Sequence, residues 1–288
     1  MMSPENQEPG IGQREAVVNF FDSSYHWWRQ VYDQNLPRGF FSFEMIRRKE
    51  IVLKVVHNYL GRRSGLNILE CGCGLGGVLR DLQTEGHRVF GLDINPESLC
   101  VARNDCPQAQ LVCGDLESLP FAAASIDIIL CVGVLSYLQD DRNALGELTR
   151  LLRPGGLLVL ANPNLFMFDK LFDPFYLLVW PFKKLRRLFQ KQGKPVEEFK
   201  SCMIRRYRYD QLDPLYQALG LKKTKQIGIS YGPLRLWRKE LLSVTLSIRV
   251  SNALVDLSTL HRCGFLTRLA NHWVIALEKP AAPIMEGI

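Results

Sequence analysis

The sequence predicts an α/β fold, a parallel sheet covered by helices, on three observations. Strand-like and helix-like segments alternate between residues 67 and 162, the order that builds parallel strands with crossover helices. The run Leu66 to Gly77 reads Leu-Asn-Ile-Leu-Glu-Cys-Gly-Cys-Gly-Leu-Gly-Gly, a buried strand that ends on an acid and enters a glycine turn. Successive strands then finish on acids, at Glu70, Asp93 and Asp115.

Each element has a local reason. Asn67 to Glu70 is the first strand; glycines 72, 74 and 76 remove Cβ atoms that would keep a ligand off the backbone. A helix over Gly77 to Glu85 would aim its unpaired N–H groups at that turn, which reads as a binding loop for a nucleotide-like cofactor. Val89 to Asp93 is the second strand, a helix opens at Glu97 after Pro96, and Leu111 to Asp115 is the third strand. Asp127 to Val132 and Leu157 to Asn162 are the fourth and fifth, separated by a helix over Asp141 to Leu152 and the turn Pro154-Gly155-Gly156. Asp210 caps a short helix to Gly220; Lys222 to Gly228 and Trp273 to Glu278 are the last strands, with Leu234 to Leu260 a helical insertion between them. Upstream, Phe21, Tyr25, Trp28 and Tyr32 recur at three- and four-residue steps and mark one face of a helix.

Two cofactors compete for the turn. Gly72, Gly74 and Gly77 satisfy G-x-G-x-x-G, with Asp93 placed as the acid that holds a dinucleotide ribose. Glu70 discriminates, because a carboxylate at the strand tip repels a pyrophosphate and suits a ligand carrying an ammonium and a sulfonium. Its charge favours S-adenosylmethionine. Asp93 can accept from both ribose hydroxyls and Asp115 from the adenine amine.

The joint order of Glu70-Cys71-Gly72-Cys73-Gly74-Leu75-Gly76, Gly91-Leu92-Asp93, Gly114-Asp115, Leu119-Pro120-Phe121 and Arg153-Pro154-Gly155-Gly156 resembles the class I S-adenosylmethionine-dependent methyltransferases over residues 66–163. The resemblance implies a Rossmann-like, mostly parallel seven-stranded sheet with helices on both faces, closed by an antiparallel pair. It implies that Glu70, Gly72 and Gly74 face the methionine part, Asp93 the ribose, and Asp115 and Leu116 the adenine. The chain then divides into an N-terminal helical lid (1–64), the cofactor-binding core (65–163), an apolar and basic cap insertion (164–205), and the C-terminal part of the core with its helical insertion (206–288). Phe20-Phe21-Asp22 followed by an aromatic helix resembles small-molecule methyltransferases of isoprenoid quinones and tetrapyrroles, and the insertion resembles that of the ubiquinone-pathway O-methyltransferases.

Composition fits one enzyme: 288 residues with 47% hydrophobic content supply a full core. Eight cysteines without a paired framework and a polar Met1 end are the pattern of a cytoplasmic protein, and Cys71 and Cys73 are too close for a zinc knuckle. No metal is expected. The net charge of +7 invites nucleic acid, but the basic residues gather after residue 180, away from any recognisable reader. Asn162-Pro163-Asn164 follows the fifth strand, where the amino-directed DNA methyltransferases carry their motif after the fourth. In 164–191 apolar residues such as Phe166, Phe172 and Trp180 precede Lys183, Lys184, Arg186, Arg187 and Lys191, a pattern that suits a substrate cap or peripheral contact with an anionic membrane.

Methyl transfer requires alignment and exclusion of water, and an oxygen acceptor must lose its proton. Tyr137 stands where many relatives place His, so His26 and Tyr137 are the candidate bases. Tyr25 and Trp28 would line the substrate side; Arg205 and Tyr207 would orient an acceptor. The expected activity is methylation of a small lipophilic acceptor, with oxygen favoured. The alternatives are methylation of RNA or protein, or a non-catalytic S-adenosylmethionine-binding partner protein.

Overall fold

The computed structural model describes residues 11–34, 37, 39–83, 85–168, 173–175, 178, 182, 204–237, 239–260 and 264–281. The strands are β1 (Asn67–Cys71), β2 (Arg88–Asp93), β3 (Gln110–Cys113), β4 (Ile126–Val132), β5 (Leu152–Pro163), β6 (Lys222–Gly228), a short hairpin of β7 (Arg235–Leu236) and β8 (Lys239–Glu240), and β9 (His272–Glu278). Seven of them form one sheet in the order β3-β2-β1-β4-β5-β9-β6. β1 to β5 pair in parallel, and β9 runs antiparallel between β5 and β6. This is the predicted mostly parallel seven-stranded sheet with its antiparallel closure.

Side chains alternate across the sheet as the two-residue period requires. Ile68, Ile128, Leu130 and Val159 enter one core with Val52, Val55 and Val56, which belong to a long helix (Phe40–Leu60). Leu69, Ile129, Leu158 and Leu160 enter the other with Leu145 and Leu148 of the helix Asp141–Leu151. Helices therefore cover both faces. The chain passes from β1 to β2 on one side and to β4 on the other, so a crevice opens above the C-terminal ends of β1 and β4.

We label the helices α1 (Ile11–Ser23), α2 (Tyr25–Gln34), α3 (Phe40–Leu60), α4 (Leu79–Leu82), α5 (Pro96–Asp105), α6 (Asp141–Leu151), α7 (Asp213–Ala218), α8 (Val244–Leu260) and α9 (Gly264–Leu269). Several differ from expectation. The helix expected over Gly77 to Glu85 shrinks to the single turn α4, preceded by a turn in which Gly72, Gly74 and Gly76 adopt positive φ. The N-terminal aromatic stripe is broken at Ser24, whose hydroxyl donates to the Phe20 carbonyl at 2.6 Å and competes with the helix. Leu234 to Leu260 is helical only from Val244; the β7–β8 hairpin precedes it. The short helix expected from Asp210 starts at Asp213, where Pro214 supplies the fixed φ of a first turn. β3 ends at Cys113, so Asp115 sits in the following turn rather than at the strand tip.

Candidate functional site

The site begins where β1 ends. Glu70 is paired on both sides, to Gly91 of β2 and Leu130 of β4, so its side chain leaves the middle of the sheet at the crevice. It is 4% exposed, and its carboxyl is pushed up to about 8, first by burial and then by the nearby Asp93, with Arg48 opposing. The Leu79 N–H donates to it, while Oε2 has no hydrogen-bond partner. The glycine turn is fixed from behind: the N–H groups of Gly72 and Cys73 donate to the Leu92 carbonyl at 2.6 and 3.1 Å. A Cβ at Gly74 would project into open space, so this backbone is bare toward the crevice.

Asp93 ends β2 and holds the same turn. Its Oδ2 accepts from the Gly74 N–H at 2.7 Å and its Oδ1 from the Asn95 N–H at 2.9 Å. Burial raises its pKa and these backbone donors counter the rise. Each carboxylate oxygen has a second lone pair, which leaves acceptors for two hydroxyls. Asn95 caps α5 through its side-chain oxygen and donates its amide to Asp22 of α1 at 2.6 Å. Asp115 accepts the Glu117 N–H at 2.9 Å and pairs with Arg14 of α1 at 2.6 Å; Arg14 also reaches Glu117 at 3.2 Å. The N-terminal helix is thus tied to the loops after β2 and β3.

Beneath α1 lies a cavity of about 210 Å³. Glu70, Gly72, Gly74, Asp93, Asp115 and Leu116 line it together with Trp28 and Tyr137, so the predicted cofactor residues share one cavity with these two. Val17, Val18, Phe21, Val134 and Leu138 complete an apolar wall at the N-terminal side. Phe21 meets Tyr137 edge-on with ring centres 5.5 Å apart, and Gln13 donates to the Tyr137 carbonyl at 3.4 Å.

Other predicted residues lie elsewhere. His26 is exposed on α2 and does not line the cavity: residues two apart on a helix face away from each other, and Trp28 takes the inward side. Tyr25 begins α2, and its side chain is outside the described residues. Arg205 and Tyr207 approach the Tyr137 segment from behind. The Arg205 N–H donates to the Ser136 carbonyl at 2.7 Å and its guanidinium pairs with Asp141 at 2.8 Å, while the buried Tyr207 hydroxyl donates to the Leu135 carbonyl at 3.2 Å. They brace the turn Leu135–Tyr137 without lining the cavity. Asn164, of the Asn-Pro-Asn run, spends its amide on the carbonyls of Phe166, Arg268 and Ala270.

Gln13, Arg14, Arg48 and Asn95 line the cavity and were not read from the sequence. For Arg48 a signal existed. Arg48, Val52 and Val56 follow one another at four-residue steps, and a charge that continues an apolar stripe points inward.

The cavity fits S-adenosylmethionine. The unpartnered Oε2 of buried Glu70 suits a cation, the bare backbone at Gly74 admits a close ligand, and Asp93 retains acceptors for a ribose. Asp93, Asp115 and Glu117 outnumber Arg14 and Arg48 in the lining, and a cation arriving beside Glu70 would favour its ionised form, an electrostatic bias toward a cationic ligand.

Comparison with known proteins agrees. A family profile described as a methyltransferase domain matches residues 69–160. The chain is 30% identical over 217 residues to a demethylmenaquinone methyltransferase of Tropheryma whipplei, covering 73% of this chain and 86% of the relative. It is 27% identical over 170 residues to a ubiquinone biosynthesis O-methyltransferase of Coxiella burnetii, covering 57% and 66%. A magnesium protoporphyrin IX methyltransferase from Synechocystis, solved with bound SAH, shares the fold at a TM-score of 0.60 and 15% identity, over 93% of this chain and 99% of that one.

Proposed function

The chain belongs to the S-adenosylmethionine-dependent methyltransferases, and from that premise we propose that it methylates an oxygen of a small lipophilic acceptor. The observation that carries this reading is that the apolar and aromatic residues Val17, Val18, Phe21, Trp28, Val134 and Leu138 line the same cavity as Glu70, Asp93 and Asp115. The relatives named for quinone substrates support it.

S-adenosylmethionine, when bound, supplies a methyl group on a cationic sulfur. Glu70 would face its positive charge and Asp93 its ribose, with Asp115 and Leu116 at the adenine end. Phe21 and Trp28 exclude water from the acceptor side, and Tyr137 is the candidate base for the acceptor proton. α1 and α2 act as a lid closed over both ligands. Arg205 and Tyr207 hold the turn that presents Tyr137.

Incubation with radiolabelled S-adenosylmethionine and a lipid extract tests the acceptor class. Label in an apolar, base-labile or ether product supports it; label only in protein or RNA overturns it.

The membrane reading of 164–191 is also a proposal. Lys183, Lys184, Arg186 and Arg187 lie outside the described residues, as do Phe172 and Trp180, and among the described residues no helix is long and apolar enough to cross a membrane. If the cluster docks on anionic lipid, the protein co-sediments with phosphatidylserine vesicles at low salt and is released at high salt. Absence of low-salt binding removes this part.

A further inference from the structure

α8 buries hydroxyls and exposes leucines, the reverse of an ordinary surface helix. Ser247, Ser251 and Ser258, at steps of four and seven, are buried with Val255 beside them. Two of these hydroxyls are used within the chain: Ser251 Oγ accepts the Tyr231 N–H at 3.0 Å, and Ser258 Oγ donates to the Val255 carbonyl at 2.8 Å. Four apolar residues line the outer side. Leu246 and Leu257 are each 44% exposed, Ala253 is exposed and Val250 is half-buried.

These four stand at steps of four, three and four, the spacing of a helix–helix seam, and the series reads the same from either end. Arg249 and Asp256, both exposed, each precede a seam position by one residue and so share one flank of it. Along one helix they lie about 10 Å apart, too far to pair with each other. A seam that reads the same from both ends is complementary to itself when two copies pack antiparallel. About a two-fold axis between Ser251 and Asn252, Leu246 meets the partner's Leu257 and Val250 the partner's Ala253. The shared flank then sets Arg249 opposite the partner's Asp256, twice over.

We propose that α8 is a homodimerisation helix, its occupant being α8 of a second copy of this chain packed antiparallel across a two-fold axis. The proposal stands apart from the methyltransferase reading, because α8 does not line the cavity. A second copy fits this face better than an anionic lipid surface does, since the flank would bring a carboxylate to the lipid beside each guanidinium, whereas the antiparallel copy satisfies both charges.

Sedimentation velocity of the full chain, at concentrations up to about 100 μM, tests the proposal, since a seam this short predicts a dissociation constant on the order of micromolar. The wild type should pass from one chain mass to two as concentration rises. Leu246→Gln with Leu257→Gln should abolish association. Arg249→Glu sets like charges opposite each other at two symmetric places and should raise the dissociation constant by roughly tenfold or more, as should Asp256→Arg. Mixed in equal amounts, these two single variants carry opposite charges at both places and should form a heterodimer; the double variant Arg249→Glu/Asp256→Arg should dimerise as the wild type does. Circular dichroism and thermal melts check that each variant is folded. A monomeric wild type throughout the range overturns the proposal, as does a dimer that survives either the leucine pair or the charge reversals. Single-variant losses that neither mixing nor the double variant rescues overturn the antiparallel register, and association only with phosphatidylserine vesicles would make the face a lipid contact instead.

Discussion

The two sides of the cavity are made differently. The side proposed for the cofactor is backbone and short acids: a glycine turn held by the Leu92 carbonyl and Asp93, with Glu70 fixed between two paired strands. The side proposed for the acceptor is assembled from remote side chains, with Phe21, packed against Trp28, meeting Tyr137 from more than a hundred residues away. One side is rigid because the sheet dictates it; the other depends on how α1 and α2 settle. Substitutions should therefore cost binding on the first side and turnover or opening on the second.

The largest expected effect is at Asp93. Its carboxylate would serve the ribose and already anchors the Gly74 N–H, so Asp93→Ala removes ligand contacts and loosens the turn together. Cofactor affinity should fall by about 2 kcal/mol, on the scale of charge-assisted hydrogen bonds. Calorimetry measures this, and faster hydrogen exchange at Gly72 to Gly74 should accompany it. Full affinity in the variant would break the assignment of this side.

Glu70 gives the next effect and a pH signature. Its folded pKa of about 8 lies above the ordinary carboxyl value of 4.5, so without cofactor the folded state holds a proton that the unfolded chain releases. The stability this contributes is complete below about pH 4.5 and is lost as pH rises through about 8. Glu70→Gln should abolish that slope and be the more stable protein at pH 9 in thermal melts without ligand. A cationic ligand favours the carboxylate, so binding at pH 7 should release a proton in the wild type and none in the variant, visible as buffer-dependent heats of binding. Equal proton release in both would remove Glu70 from the site.

On the acceptor side, Tyr137 and His26 separate cleanly. Tyr137→Phe should lower turnover by roughly a hundredfold with cofactor affinity unchanged, as expected for loss of a proton acceptor. His26→Ala should change it less than twofold, since the imidazole is exposed on the outer face of α2. Steady-state kinetics with the identified acceptor decides, and a reversed pattern would require α2 to rotate during the reaction.

The same contrast explains what the sequence reveals. Glu70, Gly74 and Asp93 are readable because a parallel strand followed by a tight turn places its last residues at the crevice whatever the rest of the chain does. The count of seven strands and their antiparallel end are implied by the family resemblance and not by this strand-and-turn logic, and the sheet has both. The length of α4 is not readable, since the residues from Gly77 to Glu85 carry no signal that confines the helix to Leu79–Leu82. Arg205 and Tyr207 show a different limit. Their proximity to the Tyr137 segment is real, yet nothing in the spacing says that they approach it from the side away from the cavity. Arg14 carries no sequence signal, because its meaning arises only when α1 crosses the loop after β3.

Arg14 also supplies the smallest expected effect and the sharpest probe of the lid. Its bridges to Asp115 and Glu117 are short, but its side chain is 59% exposed, and such pairs contribute roughly 0–1 kcal/mol. Arg14→Ala should therefore leave the melting temperature nearly unchanged. Among the described residues this helix is also anchored by Asn95 on Asp22 and by Gln13 on the Tyr137 carbonyl, contacts outside the sheet, so local opening should respond more than global stability. Hydrogen exchange over Ile11–Ser23 should quicken several-fold in the variant, and in the wild type at high salt, where the bridge is screened. Cofactor binding should restore protection in both if α1 closes on the ligand. If exchange in this helix is already unprotected in the wild type and stays so with S-adenosylhomocysteine bound, α1 is no lid, and the aromatic wall must be completed by another part of the chain.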